Sequence, residues 1–351
     1  MQKGIRGVFK PDSSNYRQLD YLYKFDANAA KFAANKANYV GNVLRKAKEA
    51  KPEEFEANAK KILGTFNRFQ ITEYNTTVAR CRTAKQFDNF QSIGKAGTYR
   101  NLEWLRTRSA SPRELHASFV GIRLPIENPF WQDNQPGNLY NCKCDWKLTN
   151  EDVTPIPQET VPPAKGLDGN PANTRELFTE EHPYYKKATN TEQVNEYLSN
   201  HVLKQFEKQD NYYIHPLVQK KSDLDSLKFL ASKFSTKENP VYILPQFDRP
   251  NDLYNAIFKT RGVAGNKNVD LLFKNELWEL KGFEGKWSDD KLSTMLSSAI
   301  KQCSNVILDL RGSTIPLRKV KKQIAVRIER YKQPFEKVYA ILDGNKLIEL
   351  L

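Results

Sequence analysis

Hydrophobic residues have mainly helical spacing in the first half of this chain, whereas the second half also contains short apolar runs typical of strands. In residues 20–50, apolar side chains such as Phe25, Phe32 and Tyr39 recur at near-helical intervals among many alanines, which predicts a long amphipathic helix. The sequence Lys51-Pro52-Glu53-Glu54 starts another helix, because proline fits the first turn and acidic side chains there complement the helix dipole. We therefore expect helical hairpins in the first hundred residues.

A proline- and glycine-rich stretch, residues 147–185, separates the two halves of the chain. No helical or strand period survives this composition, which predicts a linker. We therefore expect a multidomain protein, with a mainly α-helical domain over residues 1–146 and a second domain over 186–351.

The second half alternates between helical and strand patterns. Residues 186–235 have helical spacing, and short apolar runs then predict strands at 241–244, 269–273 and 277–280. Further elements follow in the order helix (about 289–303), strand (306–310), basic helix (about 317–331), strand (338–342) and a final hairpin strand (346–350). This order indicates an α/β or α+β fold, with a core at about 218–351.

Length and composition agree with two or more soluble domains. The chain has 351 residues, of which 39% are hydrophobic, enough for packed interiors. No run approaches the roughly 20 apolar residues of a membrane span, and the N-terminus lacks a secretory pattern. The four cysteines do not form a disulfide framework, so we expect reduced thiols.

The net charge of +14 is concentrated at the two ends of the chain. Residues 1–150 carry 25 basic and 14 acidic side chains, whereas residues 151–250 carry 12 and 15. A basic surface attracts polyanions, which fits nucleic acid or an acidic assembly partner, although charge that serves only solubility explains the same excess.

A turn-rich, aromatic stretch of unlike residues in fixed order follows the first helices. It contains Arg106-Thr107-Arg108, His116, Gly121, Pro125, Pro129-Phe130-Trp131, Pro136 and Cys142-Lys143-Cys144-Asp145. Over roughly residues 60–146 this order resembles the Mu F-like phage head morphogenesis family. Pro136-Gly137 departs from the paired prolines of many relatives. The resemblance implies a minor head component near the portal, with portal and head proteins as partners.

The same stretch supplies ligands for a transition metal. His116, Cys142 and Cys144 suit zinc, and Asp145 would be a fourth ligand. The alternative is a hydrogen-bonded core histidine beside buried thiols, because C-x-C is not the usual C-x₂-C spacing.

In the second half, charged residues interrupt apolar strands. Asp270, Glu279 and Lys281 form the pattern D-x₈-E-x-K. If the two runs are adjacent strands, period-two alternation puts Glu279 and Lys281 on one face, within reach of Asp270. Two carboxylates that hold Mg²⁺ and a lysine that stabilises charge suit phosphodiester cleavage. The alternative is an exposed strand edge with an ordinary Glu-Lys pair.

The flanks of this pattern extend the argument. With Ile214-His215-Pro216-Leu217 before it and Ile300 to Arg311 after it, it resembles the C-terminal tRNA-nuclease domains of contact-dependent growth-inhibition toxins over about residues 210–351. The resemblance implies a PD-(D/E)XK-type core at Asp270, Glu279 and Lys281, with a divalent metal (Mg²⁺, or Zn²⁺) as cofactor.

Other residues are predicted around this core. An additional acid would come from Asp223 or Asp225, and Gln302 and Arg311 would touch substrate or serve packing. Residues of the basic helix would track phosphates, or form a solvated face; they include Arg318, Lys319, Lys322 and Arg327. His215 would be a general base or a structural turn residue.

The combined prediction is a phage minor head protein that carries a tRNA-cleaving toxin domain, located in the virion and then in the host cytoplasm. Its further partners would be tRNA or other nucleic acid and an immunity protein. Two alternatives remain open. One is a purely structural or nucleic-acid-binding virion protein without catalysis, and the other is a metal-independent ribonuclease of the barnase and colicin type.

Overall fold

A computed structural model describes residues 1–12, 15–107, 109, 114–158, 160–218, 223–263, 265–283 and 285–351. Arg108 of the head-morphogenesis pattern lies outside these residues. The chain forms two compact units, unit 1 over Met1–Leu198 and unit 2 over Ser199–Leu351. None of the helices in the described ranges has both the length and the apolar character needed to cross a membrane.

Unit 1 is mainly helical. Its helices are α1 (Gln2–Val8), α2 (Tyr16–Ala50), α3 (Phe55–Lys95), α4 (Pro171–Thr174) and α5 (Pro183–Lys187), and α6 (Thr191–Leu203) spans the boundary at residue 198. The long helices α2 and α3 confirm the predicted helical region. Three short strands, β1 (Asn101–Leu105), β2 (Arg123–Pro125) and β3 (Asp145–Thr149), form an antiparallel sheet in the order β2-β1-β3. This sheet was not predicted, because its strands are separated by long irregular loops.

The proline-rich segment differs from the expected linker. Leu167, Phe178 and Tyr184 are buried, and the side chain of Asn28 in α2 donates a 2.9 Å hydrogen bond to the carbonyl of Phe178. The ring of Phe32 stacks on Phe178 with 4.0 Å between the centroids. The prolines of this segment interrupt regular structure, but its apolar side chains still pack into the core of unit 1.

Unit 2 is an α/β structure built on one mixed sheet. Its helices are α7 (Leu224–Phe234), α8 (Asp252–Ile257), α9 (Asp289–Ile300) and α10 (Leu317–Glu329). Its strands are β4 (Glu207–Lys208), β5 (Tyr213–Ile214), β6 (Val241–Ile243), β7 (Leu271–Phe273), β8 (Glu276–Gly282), β9 (Asn305–Asp309), β10 (Lys337–Leu342) and β11 (Lys346–Glu349). They lie in the order β11-β10-β9-β8-β7-β6-β5-β4. The strands after residue 239 and the helices α9 and α10 follow the predicted order. The helix α8 was not predicted, and β4 and β5 fall in a region predicted to be helical.

The two faces of this sheet are covered by different helices. Val306 and Leu308 of β9 belong to a buried cluster with residues of α9 and α10. Ile307, between them, belongs to a second cluster with Trp278 and Leu280 of β8 and residues of α7. Alternate side chains of one strand therefore enter opposite cores, as the pleat of a buried strand requires.

Candidate active site

A tight hairpin sets the register of the acidic residues in unit 2. Lys274 and Asn275 have φ angles of 51° and 62°, which is typical of a two-residue turn between antiparallel strands. Leu271 of β7 pairs with Trp278 of β8. Asp270 directly precedes β7, so continuing the ladder by one step places it opposite Glu279. Side chains that lie opposite each other in an antiparallel pair point to the same face.

The neighbours of Glu279 on β8 show which face this is. Trp278 and Leu280 enter the core beneath α7. Glu279 and Lys281 therefore point to the other face of the sheet, as the period-two pattern predicts. Gln302, just after α9, reaches the same face, because its side chain contacts Glu279.

Hydrogen bonds hold both carboxylates in place. The backbone N–H of Leu280 donates to Asp270 Oδ2 at 3.0 Å. Gln302 Nε2 donates to Glu279 Oε1 at 2.7 Å, and Lys281 Nζ forms an ion pair with the same oxygen. Asp270 is 5% and Glu279 2% exposed. Two carboxylates buried this deeply need compensating donors or cations.

These groups line a cavity of about 400 Å³, which we call the Asp270 cavity. Its wall consists of Asp223, Gln246, Asn266, Lys267, Asn268, Asp270, Glu279, Leu280, Lys281, Ser298, Lys301 and Gln302. Of the two acids proposed for the preceding helix, Asp223 lines the cavity, whereas Asp225 is exposed in the first turn of α7 and does not.

Two lysines of this wall, Lys267 and Lys301, were not predicted as site residues. Lys301 directly precedes Gln302. Its position beside this candidate residue, at the end of a predicted helix, could have indicated that it lies at the site. Lys267 lies in an asparagine-rich turn with no periodic pattern, so nothing in the sequence singled it out. Both add positive charge beside the carboxylates.

Arg311 lies outside the Asp270 cavity. Its guanidinium donates to Asp309 Oδ1 at 2.9 Å and to Asn345 Oδ1 at 2.9 Å, and it lies over the ring of Phe229. Burial alone would raise the pKa of Asp309, but hydrogen bonds from Arg311 and Ser226 outweigh this effect and lower it. Arg311 therefore has a packing and ion-pairing role in this structure.

The basic helix α10 presents only part of its predicted cationic face. Arg318 and Lys322 are exposed, and Lys319 lies over the ring of Trp287. Arg327 is 5% exposed, and its guanidinium donates to Ser293 and Ser297 of α9. A phosphate-binding role for Arg327 is therefore wrong for this conformation, because its donors are used in packing α10 against α9.

His215 has a structural environment. It is 1% exposed, and its Nδ1 accepts a hydrogen bond from the backbone N–H of Leu217 at 3.1 Å. Burial lowers the pKa of His215 to about 3, so the ring is neutral at physiological pH. It does not line the Asp270 cavity. These observations favour the structural turn role.

Unit 1 contains the second set of candidate metal ligands. The ligand atoms of His116, Cys142 and Cys144 all lie within 4.8 Å of one another. Asp145 is not part of this group, because its Oδ1 accepts hydrogen bonds from Gln86 and from the backbone N–H of Trp146. The three predicted zinc ligands are therefore brought together, without the proposed fourth.

Comparison with known families adds one match, which lies in unit 2. Residues 267–347 match the model of the contact-dependent growth inhibition CdiA C-terminal domain. This region resembles a CdiA C-terminal toxin domain. The match confirms, over residues 267–347, the predicted resemblance to growth-inhibition toxin domains. The matched range includes Asp270, Glu279, Lys281 and Gln302. No curated protein and no solved structure gave a significant match. The family match does not reach unit 1, where the head-morphogenesis resemblance stays a prediction.

Proposed function

We propose that unit 2 is a metal-dependent nuclease toxin whose active site is the Asp270 cavity. The observation that carries this proposal is the convergence of Asp270, Glu279 and Lys281 on one cavity within a region similar to CdiA C-terminal domains. A solvent-facing strand edge with an ordinary Glu-Lys pair does not account for a glutamate that is 2% exposed.

The donor set of the cavity fits a hard divalent cation. Asp270, Glu279 and Asp223 offer carboxylate oxygens to the same cavity. Oxygen-only donors favour Mg²⁺ over softer metals. Asp270 and Glu279 would hold the ion. When bound, such a cation polarises a phosphate oxygen and lowers the pKa of a coordinated water.

The side chains around the carboxylates have separate tasks. Lys281, ion-paired with Glu279, carries a cation that can stabilise charge developing on a phosphate. Gln302 fixes the orientation of the Glu279 carboxylate through its 2.7 Å hydrogen bond. It acts on the reaction through Glu279, and we therefore treat it as a positioning residue.

The exposed cations of unit 2 suit a polyanionic substrate. Lys267 and Lys301 line the Asp270 cavity, and Arg318 and Lys322 are exposed on α10, outside its lining. Cations spread over such a surface attract a nucleic acid backbone without reading its sequence. The choice of tRNA rests on the resemblance to growth-inhibition toxins. We propose that an immunity protein protects the cell that makes this domain.

The first alternative, a metal-independent ribonuclease, needs an acid-base pair of side chains near the phosphate. The described wall of the cavity contains no histidine, and the buried His215 is held neutral by its environment. The donor chemistry therefore favours metal-dependent cleavage over this alternative.

Chelation separates these alternatives. We expect the purified full-length chain to cleave total tRNA in Mg²⁺. Cleavage should stop in excess EDTA and resume when Mg²⁺ is restored, because two carboxylates alone do not activate water at neutral pH. Gel analysis of total tRNA and of plasmid DNA, run side by side, measures the activity and identifies the substrate class.

Two results would contradict this expectation. Undiminished cleavage in EDTA would support the metal-independent mechanism instead. If neither substrate is cleaved in Mg²⁺, a structural or nucleic-acid-binding role would be supported.

We further propose that unit 1 acts in phage head assembly, with the toxin-like unit carried in the virion and then released into the host cytoplasm. The support is the order of unlike residues from Arg106 to Asp145. If this is right, mass spectrometry of purified virions will detect peptides of both units at low copy number. Recovery of the chain only in the soluble lysate, with none in the virions, would count against it.

A further inference from the structure

Three soft or intermediate ligands meet in unit 1, away from the Asp270 cavity. His116 lies in a 3₁₀ turn (Glu114–Phe119), whereas Cys142 and Cys144 lie in the loop that leads into β3. His116 is 28 residues from Cys144 and 26 residues from Cys142. The tertiary fold is therefore needed to bring the imidazole to the two thiols.

The distances fit the edges of a tetrahedral site. His116 Nδ1 lies 3.3 Å from Cys144 Sγ and 3.6 Å from Cys142 Sγ. Metal–nitrogen bonds of about 2.0 Å and metal–sulfur bonds of about 2.3 Å at tetrahedral angles give a nitrogen–sulfur edge of about 3.5 Å. Both contacts agree with that edge within a few tenths of an ångström.

One linear hydrogen bond explains only one of these contacts. An imidazole nitrogen carries either one N–H or one lone pair, so contact with both sulfurs would need a bent, three-centre hydrogen bond. Nδ1 nevertheless faces both sulfurs at similar distances. A cation in front of Nδ1 would use the nitrogen lone pair and both sulfurs at once.

Aromatic side chains fix the imidazole in this orientation. Trp104 of β1 meets His116 edge-on at 5.3 Å, and Phe119 stacks on it at 5.7 Å, between ring centroids. His116 is 5% exposed. Because the ring is held by packing, the ligand would be preorganised before a metal arrives.

We propose that His116, Cys142 and Cys144 bind one zinc ion, with a water molecule as the fourth ligand. Two thiolates and an imidazole are the ligands that Zn²⁺ selects over Mg²⁺ or Ca²⁺. A cavity of about 50 Å³, lined by these three residues together with Thr107 and Asn141, has room for a water. Bound zinc would tie the 3₁₀ turn to the loop before β3.

Metal content of the full-length chain, purified with a phosphine reductant, tests this site. We expect about one zinc per chain by mass spectrometry of the metals, and loss of that zinc in Cys142→Ser and in Cys144→Ser. The matched control is Cys303→Ser in unit 2, which replaces a thiol that donates to the Leu277 carbonyl with another donor and should keep the zinc.

A second measurement covers the case in which a ligand variant fails to fold. Wild-type chain stripped by a chelator is titrated with Co²⁺, and the thiolate-to-cobalt charge-transfer absorption is recorded. We expect this band to saturate at about one Co²⁺ per chain and to disappear when Zn²⁺ is added, because zinc binds such sites more tightly.

Glu279→Gln separates this site from the one in unit 2. That variant should keep its zinc and its cobalt–thiolate band, because neither depends on the Asp270 cavity. Three results would overturn the proposal: wild-type chain without zinc or cobalt–thiolate absorption, zinc retained after both cysteines are replaced, or zinc lost in Glu279→Gln.

Discussion

Glu279→Gln and Lys281→Met are each expected to lower the single-turnover rate of tRNA cleavage by about 10³-fold or more, which is the scale of losing a preorganised electrostatic group. Glu279→Gln keeps the shape of the side chain and removes the charge that would hold the cation. Lys281→Met keeps the length of the side chain and removes the cation beside the phosphate. Both rates are measured with the full-length chain at saturating Mg²⁺.

Matched controls lie in the same sheet, outside the Asp270 cavity. Glu276 of β8 pairs with Lys337 of β10, with 2.7 Å between Nζ and Oε2, and both side chains are partly exposed. Such an exposed pair contributes little to stability, because solvent screens it. Glu276→Gln and Lys337→Met change charge in the same way as the site variants. They should leave the cleavage rate within about twofold, which corresponds to a few tenths of a kcal/mol, because neither residue lines the Asp270 cavity.

Loss of folding is the main confounding effect. Lys281→Met leaves the buried Glu279 carboxylate without its ion pair, which costs about 3–5 kcal/mol. The double variant Glu279→Gln/Lys281→Met removes both charges together and should be more stable than Lys281→Met alone. A stable, folded double variant that still cleaves tRNA at the wild-type rate would refute the assigned active site.

Arg80→Met is expected to lower the free energy of unfolding of unit 1 by about 3–5 kcal/mol, because it removes the hydrogen bonds of a buried guanidinium to several backbone carbonyls. Arg80 of α3 is 0% exposed. Its guanidinium donates to the carbonyls of Leu167 at 2.7 Å, Gly169 at 3.1 Å and Glu176 at 3.3 Å. These three bonds join α3 to the proline-rich segment.

Burial of the charge opposes part of this stabilisation. It lowers the pKa of Arg80 to about 10, which reflects a desolvation cost of the guanidinium in the folded state. Methionine avoids that cost, so the net loss is smaller than the sum of the lost hydrogen bonds. The lost hydrogen bonds still dominate, since a buried carbonyl that loses its donor costs about 1–3 kcal/mol, although the Gly169 carbonyl keeps its 2.9 Å hydrogen bond from Gln135.

Hydrogen exchange localises the effect. In Arg80→Met, backbone amides between residues 164 and 180 should exchange about a hundredfold faster, the factor that corresponds to about 3 kcal/mol of local opening free energy. Arg82→Met is the control, because Arg82 is exposed on the same helix and should change stability by no more than about 0.5 kcal/mol. Equal exchange in both variants would show that Arg80 does not hold this segment.

Local patterns were sufficient for the geometry of the acidic pair. The two-residue turn at Lys274 and Asn275 sets the hairpin register, and strand alternation then directs Glu279 and Lys281 to one face. Both depend on residues that are close together in the chain. The D-x₈-E-x-K spacing could therefore be converted into a spatial prediction before any packing was known.

The remaining members of the cavity could not be predicted in this way. Gln302 contacts Glu279 from 23 residues away. Asp223, just before α7, lines the wall, whereas Asp225 in the first turn of that helix does not. Arg327 looked like part of a phosphate-binding face, but its position on α10 turns it towards α9.

The sequence by itself determined the helix and strand periods and the ligand types in each half. Only the tertiary structure decided that residues 166–185 pack into unit 1, that Arg80 is buried among carbonyls 87 to 96 residues away, and that His116 meets two thiols. The physical reason is that backbone and side-chain preferences act over a few residues. Contacts between distant segments depend instead on how whole faces pack, and no local pattern encodes that.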